Sequence, residues 1–214
     1  MSPRIPETIL TVLLLTAAVC GGVPLAHAGG NPPSQVVFEI GYVKPHGNLA
    51  EDFLTTDKGF GITQGLELGF RWRYRFSENW SISPAFHFTD YKNYSGENEE
   101  VGAYRIKPTT LLYDLEFMYV MGGPDTFFRP LLAVSGGISR NRVEGYWKTW
   151  DKAFESSVNA LTVAARAGLL IKGFEFTAVY NLNRFETWRF FNTGYEEDYD
   201  WDNLVLRAGW IIPF

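Results

Sequence analysis

The chain has 214 residues, a formal net charge of −5 and 16% aromatic residues, which fits one domain behind a targeting segment. The acidic balance speaks against a nucleic-acid binder, whose phosphate contacts need a basic face. The aromatic and glycine content argues against disorder, and a mean hydropathy near zero suits a membrane barrel, where lipid-facing apolar residues alternate with polar inward ones.

The first 28 residues read as a secretory signal peptide. Arg4 precedes an apolar run from Ile9 to Val19, and Ala26-His27-Ala28 forms an A-x-A-like cleavage site before Gly29. The run is too short for a spanning helix, which needs roughly 20 apolar residues. Cys20 offers a rival reading as a lipoprotein cysteine, but Val19 stands where a small residue is expected. Cleavage after Ala28 leaves a mature chain, 29–214, without cysteine, and so without disulfide or thiolate chemistry. No later apolar run reaches helical membrane length, so any span of the bilayer is made by a closed barrel.

From Gly29 onward the dominant period is two. In Leu66-Glu67-Leu68-Gly69-Phe70-Arg71-Trp72-Arg73-Tyr74-Arg75-Phe76 every even position is large and apolar, and every odd one is charged or glycine. On a strand the two sets face opposite ways, and the length suits a tilted membrane strand of about 9–11 residues. Strands are expected at roughly 35–43, 63–76, 80–90, 104–121, 126–138, 157–172, 174–187 and 202–214. Ser77-Glu78-Asn79, Gly122-Gly123-Pro124-Asp125 and Lys172-Gly173 are tight turns. The other connections (44–62, 91–103, 139–156 and 188–201) read as long polar loops. Short turns at one end and long loops at the other describe a closed, antiparallel, all-β transmembrane barrel of about eight strands, with the turns in the periplasm. Pro84, Pro108 and Pro130 fall within expected strands and each removes a ladder donor, so local bulges are expected there.

Leu204, Leu206, Ala208, Trp210, Ile212 and Phe214 alternate to the chain's end. This tail resembles the C-terminal signature of bacterial outer-membrane proteins, which the barrel-assembly machinery recognises, and marks Phe214 as an assembly signal. The mature chain resembles the group of small barrels that includes OmpA, OmpX and OmpW, in pattern rather than by a unique motif. The resemblance implies outer-membrane localisation in a Gram-negative envelope.

The inward set holds Glu39, Glu67, Asp114, Glu116 and Glu175 with Arg71, Arg73, Arg75, Arg129, Arg166 and Arg207. An eight-stranded barrel is just wide enough for side chains to fill, so these are expected to pair into a polar core rather than line a pore. Glu67, Asp114 and Glu116 are the expected partners of the Arg71, Arg73 and Arg75 row, and Glu39 is expected beside Arg207 across the closing strands. Small barrels include lipid A deacylases and palmitoyltransferases that use a His with a Ser and an acidic partner. Here His87 stands in Phe86-His87-Phe88-Thr89-Asp90 and points inward, while His46 has no Ser beside it, so no enzyme is expected. The acidic run Glu196-Glu197-Asp198-Tyr199-Asp200-Trp201-Asp202 lacks the Gly and distal Glu of an EF-hand loop and reads as a solvated rim; no metal or cofactor is expected.

The aromatics suggest two interfacial belts. Trp72, Tyr74, Phe76, Trp80, Tyr119, Phe174, Phe176, Trp210 and Phe214 mark the turn side. Tyr42, Phe88, Tyr91, Tyr104, Trp188 and Trp201 mark the loop side, and Tyr146, Trp147, Trp150, Phe190, Phe191 and Tyr195 add rings in the loops. The expected role is a structural or surface-interaction barrel, monomeric, in contact with outer-membrane lipid and lipopolysaccharide. A narrow passage for small or apolar solutes is the alternative, and a lipid A-modifying enzyme the third reading.

Overall fold

The computed structural model describes residues 34–51, 60–98, 102–147, 152–187 and 197–213. The expected signal peptide, Trp150, Trp188, Phe190, Phe191, Tyr195, Glu196 and Phe214 lie outside them. Ten strands occur among the described residues: β1 (Ser34–Pro45), β2 (Gly65–Arg75), β3 (Trp80–Tyr91), β4 (Tyr94–Asn98), β5 (Gly102–Val120), β6 (Phe128–Trp147), β7 (Lys152–Ile171), β8 (Phe174–Thr187), β9 (Glu197–Asp200) and β10 (Asn203–Pro213). The eight long strands β1, β2, β3, β5, β6, β7, β8 and β10 pair in that order, all antiparallel, and β10 pairs back onto β1 to close the barrel. The two short strands, β4 and β9, continue β3 and β10 outward along β5 and β8.

The registers fix the barrel's shape. Stepping across the ladders from Ser34 leads through Tyr74, Ile82, Phe117, Val134, Ala165, Tyr180 and Leu204 and returns to β1 at Lys44. The return is ten residues further on (44 − 34 = 10). With about 3.4 Å per residue along a strand and about 4.8 Å between strands, that stagger over eight strands tilts them by roughly 40°.

The alternation read from the sequence decides which residues line the lumen. Odd positions of β1, β2, β3, β6, β8 and β10, and even positions of β5 and β7, turn inward. The opposite set forms a continuous apolar belt, in which Val134 is 59% and Leu161 79% exposed. A soluble monomer rarely leaves so much contiguous apolar surface in water; lipid is the solvent this wall requires. At the turn end Phe76, Trp80, Phe174 and Trp210 stand outward and exposed, with Trp80 4.9 Å from Phe117 and 4.6 Å from Tyr119.

Two expectations about the loop end are corrected. The connection 139–156 is mostly strand: β6 and β7 stay paired out to Trp147 and Lys152, well beyond the expected ends. The alternation that signals a half-apolar strand is lost there because residues such as Arg140, Asn141, Arg142 and Glu144 are polar on both faces. Tyr91, Tyr104 and Trp201 do not belong to the loop-side belt; their odd or even positions turn them inward, where all three are buried. Tyr42 and Phe88 do stand outward.

The prolines divide. Pro84 and Pro130 cause no bulge. Around Pro84 the β2–β3 ladder is interrupted, but it resumes in the same register, while the β5 side is unbroken. A residue's N–H faces only one neighbouring strand, so the loss is confined to that side. Pro130 sits just past the last β5–β6 rung and turns its carbonyl to the Met121 N–H at 2.7 Å. Pro108 does face a bulge. Between the pairs Asp90↔Thr109 and Tyr94↔Ile106, three residues oppose two, and Lys92 donates instead to the Gln64 carbonyl. The extra residue separates β3 from β4 where Pro108 has no donor to offer.

Candidate functional site: the barrel lumen

The lumen is built in layers, because each strand carries a different inward residue type as it rises. Nearest the middle is an ion network. Arg71 donates to Glu116, to Glu39 at 2.9 Å and to Glu175 at 2.8 Å. Arg166 meets Glu39, Glu175 and Glu116, each at 3.0 Å, and Arg73 donates to the other oxygen of Glu175. Three guanidiniums and three carboxylates thus interlock from five strands, all of them buried. Buried charge is costly unless it is paired and its remaining lone pairs are satisfied, and the fork of Arg can serve two carboxylates at once.

Beside this cluster Arg207 bonds Glu67, from Nε at 2.5 Å and from Nη2 at 3.2 Å. The expected neighbour, Glu39, is not its partner. Closure sets Arg207 opposite Gly41 and Glu39 opposite Gly209, so the Arg207 side chain passes over Gly41 to β2, and Glu39 is taken by Arg71 and Arg166. Glu67 serves Arg207 rather than the arginines of its own strand. Asp114 forms no ion pair with an arginine among the described residues; Nε2 of His87 stands 3.8 Å from its carboxylate. Arg75 and Arg129 also leave the network. At the turn end they donate to the Glu78 carbonyl, at 2.9 and 3.2 Å, and Arg129 donates to the Gly122 carbonyl as well.

His87 is buried over Gly69, with Glu39, Glu67 and Asp114 all 3.7–3.9 Å from its ring nitrogens. Neither nitrogen has a hydrogen-bond partner among the described residues, so no hydroxyl stands within reach of it. His46 lies at the start of a short 3-10 turn (Gly47–Leu49), its ring 6.2 Å from Tyr180.

Above the ions comes a neutral polar layer that the strand pattern alone did not announce. Asn141 and Asn183 exchange side-chain hydrogen bonds at 3.0 and 2.9 Å. Thr110 donates to Asn141 and Ser139 to Asn183, both at 2.9 Å. Asn181 donates to Asn203 at 2.8 Å. The signal was present in the inward positions, which change from charged to Asn, Ser and Thr toward the loop end.

The loop end is closed by an apolar cap, also missing from the expectations. Leu49, Phe60 and Ile62 fold in from the connection after β1 and pack with Tyr91, Tyr104, Ile106, Phe185, Tyr199 and Trp201, all buried. Phe60 sits 5.6 Å from Trp201, and Phe185 is 5.5 Å from the same ring. The acidic run is the other face of this cap. On β9 Tyr199 points in while Asp198 and Asp200 point out, and Arg184 holds Asp200 and Asp202 at 3.2 and 3.3 Å.

Solved structures with the same arrangement are small outer-membrane proteins. Ail, the attachment invasion locus protein of Yersinia pestis, solved with the heparin analogue sucrose octasulfate, matches over 86% of this chain and 100% of its own, with a TM-score of 0.54 and 11% identity. Neisserial surface protein A matches over 87% of this chain and 100% of its own, with a TM-score of 0.52 and 15% identity. A major outer membrane protein from Thermus thermophilus covers the same shares, with a TM-score of 0.50 and 11% identity. The chain has the fold of the small outer-membrane β-barrels. At these identities the likeness is one of architecture, and the lumen of this barrel is described by its own residues. No protein-family model and no curated protein sequence matches the chain.

Proposed function

We propose that the protein is a non-conducting outer-membrane barrel with a structural or surface-interaction role, its loop end outside the cell and its turn end in the periplasm. The observation that carries this reading is the double closure of the lumen. A charge network crosses the middle, and the Phe60–Phe185–Trp201 cap covers the loop end. A passage for solutes would have to break both. The apolar belt supports lipid as the surrounding partner. Lys44, Arg105 and Arg140, exposed on the outer wall at the loop end, suit contact with lipopolysaccharide phosphates. Export through a cleaved segment 1–28, insertion by the barrel-assembly machinery through the Phe214 tail, and a monomeric state complete the proposal.

The test is electrical and biochemical. Purified protein in a planar bilayer should give no large, stable conductance, and the mature chain, beginning near Gly29, should fractionate with outer membranes. A persistent open channel would put the passage reading first; a retained apolar leader or a soluble main pool would remove the localisation.

A further inference from the structure

Below the ion network the lumen opens into a cavity of about 250 Å³ at the turn end, lined by residues of several strands and both neighbouring turns. Among its charged residues cations outnumber anions: Arg73, Arg75, Arg129 and Lys172, against Glu78 and Asp125. Glu175 neutralises Arg73, but neither Arg75 nor Arg129 forms a direct ion pair among the described residues; the exposed Glu78 carboxylate attracts both only from beyond contact. Instead both guanidiniums donate to the carbonyl of Glu78, and Arg129 also to that of Gly122, all neutral acceptors. Two like charges drawn to one point repel each other, and carbonyl oxygens offer them no countercharge.

A second observation is independent of the charge count. The Nε–H of Arg73, the Nε–H of Arg129 and the hydroxyl of Ser81 are buried without hydrogen-bond partners among the described residues. Their residues are 1%, 5% and 2% exposed, and all three line this cavity. Buried donors left unmade are costly, and here they cluster in one space with the two guanidiniums that have no direct ion pair. The wall offers donors and positive charge; the chemistry it lacks is an acceptor carrying negative charge.

We propose that this turn-end vestibule binds a small oxyanion of the phosphate class, inorganic phosphate or a phosphomonoester, held by Arg75 and Arg129 with Arg73 and Ser81 donating from the wall. Bidentate guanidinium contact suits a tetrahedral oxyanion, and the apolar residues at the margin, Met118, Leu170 and Ile211, lower the dielectric around the charge. The occupant comes from the turn side, since the ion network closes the way above. It is either a free anion or the headgroup of a lipid in the adjacent leaflet.

The probe is inorganic phosphate, titrated calorimetrically against the intact folded barrel in a zwitterionic detergent. Saturable one-to-one binding is expected, weakened at least tenfold by R129Q and by R75Q, and unchanged by R142Q at the loop end, where Arg142 is paired with Glu144 and Glu155. Repeating the titration in phosphatidylglycerol nanodiscs separates the sources. An unchanged affinity assigns the site to the free anion, and competition by the lipid assigns it to a headgroup. If the glutamine variants do not fold, phenylglyoxal labelling of Arg129 in the parent protein serves instead; phosphate should slow it at least fivefold. No saturable binding, affinity retained in both variants, or labelling that phosphate does not slow would each overturn the proposal.

Discussion

Arg207 on the last strand is bound to Glu67 on the second, and its side chain spans the first strand to get there. Strand closure alone would pair it with β1, but the residue opposite is Gly41. The guanidinium therefore reaches a carboxylate one strand further, at 2.5 Å from Nε. This contact ties three consecutive strands across the closing seam of the barrel, where no connecting turn does so.

Replacing Arg207 with Met should leave Glu67 buried and uncompensated, and destabilise the barrel by about 3–5 kcal/mol. Adding Glu67→Leu should recover much of that loss, because an apolar pair removes the buried charge altogether. The coupling energy in a double-mutant cycle should be larger for Arg207 with Glu67 than for Arg207 with Glu39. Denaturant unfolding in detergent, followed by tryptophan fluorescence, gives each value. Equal coupling to both glutamates would show the network to be diffuse rather than paired as seen.

Gly41 is the gap that permits the crossing. A Cβ there would meet Val205 Cγ1 at 2.8 Å, Arg207 Cγ at 3.2 Å and Glu67 Oε1 at 3.3 Å. Gly41→Val should cost about 1–3 kcal/mol through overpacking. In a background carrying Glu67→Ala and Arg207→Ala, two of those three contacts disappear and the cost should fall by at least half. The same unfolding measurement checks it, and an undiminished cost would place the clash at Val205, whose Cγ1 is the nearest atom.

What could be read ahead of the structure follows from where the two faces of a strand differ. The Leu66–Phe76 alternation revealed β2 because lipid wants Leu66, Leu68 and Phe70 outside while the lumen holds Glu67, Arg71 and Arg73. Where the outward face is polar too, as at Arg140, Arg142 and Glu144, the strand continues without that signature, although Asn141 and Val143 are buried inside. The inward direction of the charged residues was legible from parity; their partners were not. Pairing depends on side-chain reach across a staggered cylinder, so Arg71 finds Glu116 and Glu175 from distant strands, and Arg207 passes over a glycine. The acidic run hid the cap for a related reason. Its carboxylates drew the eye to an outward face, while Tyr199 and Trp201, at the alternating positions, carried the inward one.

Orientation is open to a direct check. With the turns in the periplasm, protease added to intact cells should cut within 148–151 or 188–196 if it cuts at all. Cysteines introduced at Asn79 or Gly123 should resist a membrane-impermeant reagent until the outer membrane is permeabilised. Gly123 is the better reporter, since a Cβ there meets nothing within 4 Å, whereas the Asn79 side chain bonds the Val120 carbonyl at 2.6 Å. Labelling of Gly123→Cys on sealed cells would show that the barrel is inserted the other way up.

The last prediction separates the two closures of the lumen. Ser81 lines the turn-end vestibule and Ser139 lies in the Asn layer between the ions and the cap. In the barrel reconstituted in vesicles, a small thiol reagent from the turn side should modify Ser81→Cys and spare Ser139→Cys, because the Arg71, Arg166, Glu39, Glu116 and Glu175 cluster stands between them. Trp201 is fully buried in the cap; Trp201→Ser removes the ring on which Phe60 and Phe185 both pack and should cost about 3–5 kcal/mol. In that background the same reagent from the loop side should reach Ser139→Cys at least tenfold faster, while Ser81→Cys remains closed to it and conductance stays at the baseline. A stepwise conductance in the Trp201→Ser protein would show that the cap alone seals the barrel and that water already threads the ion network.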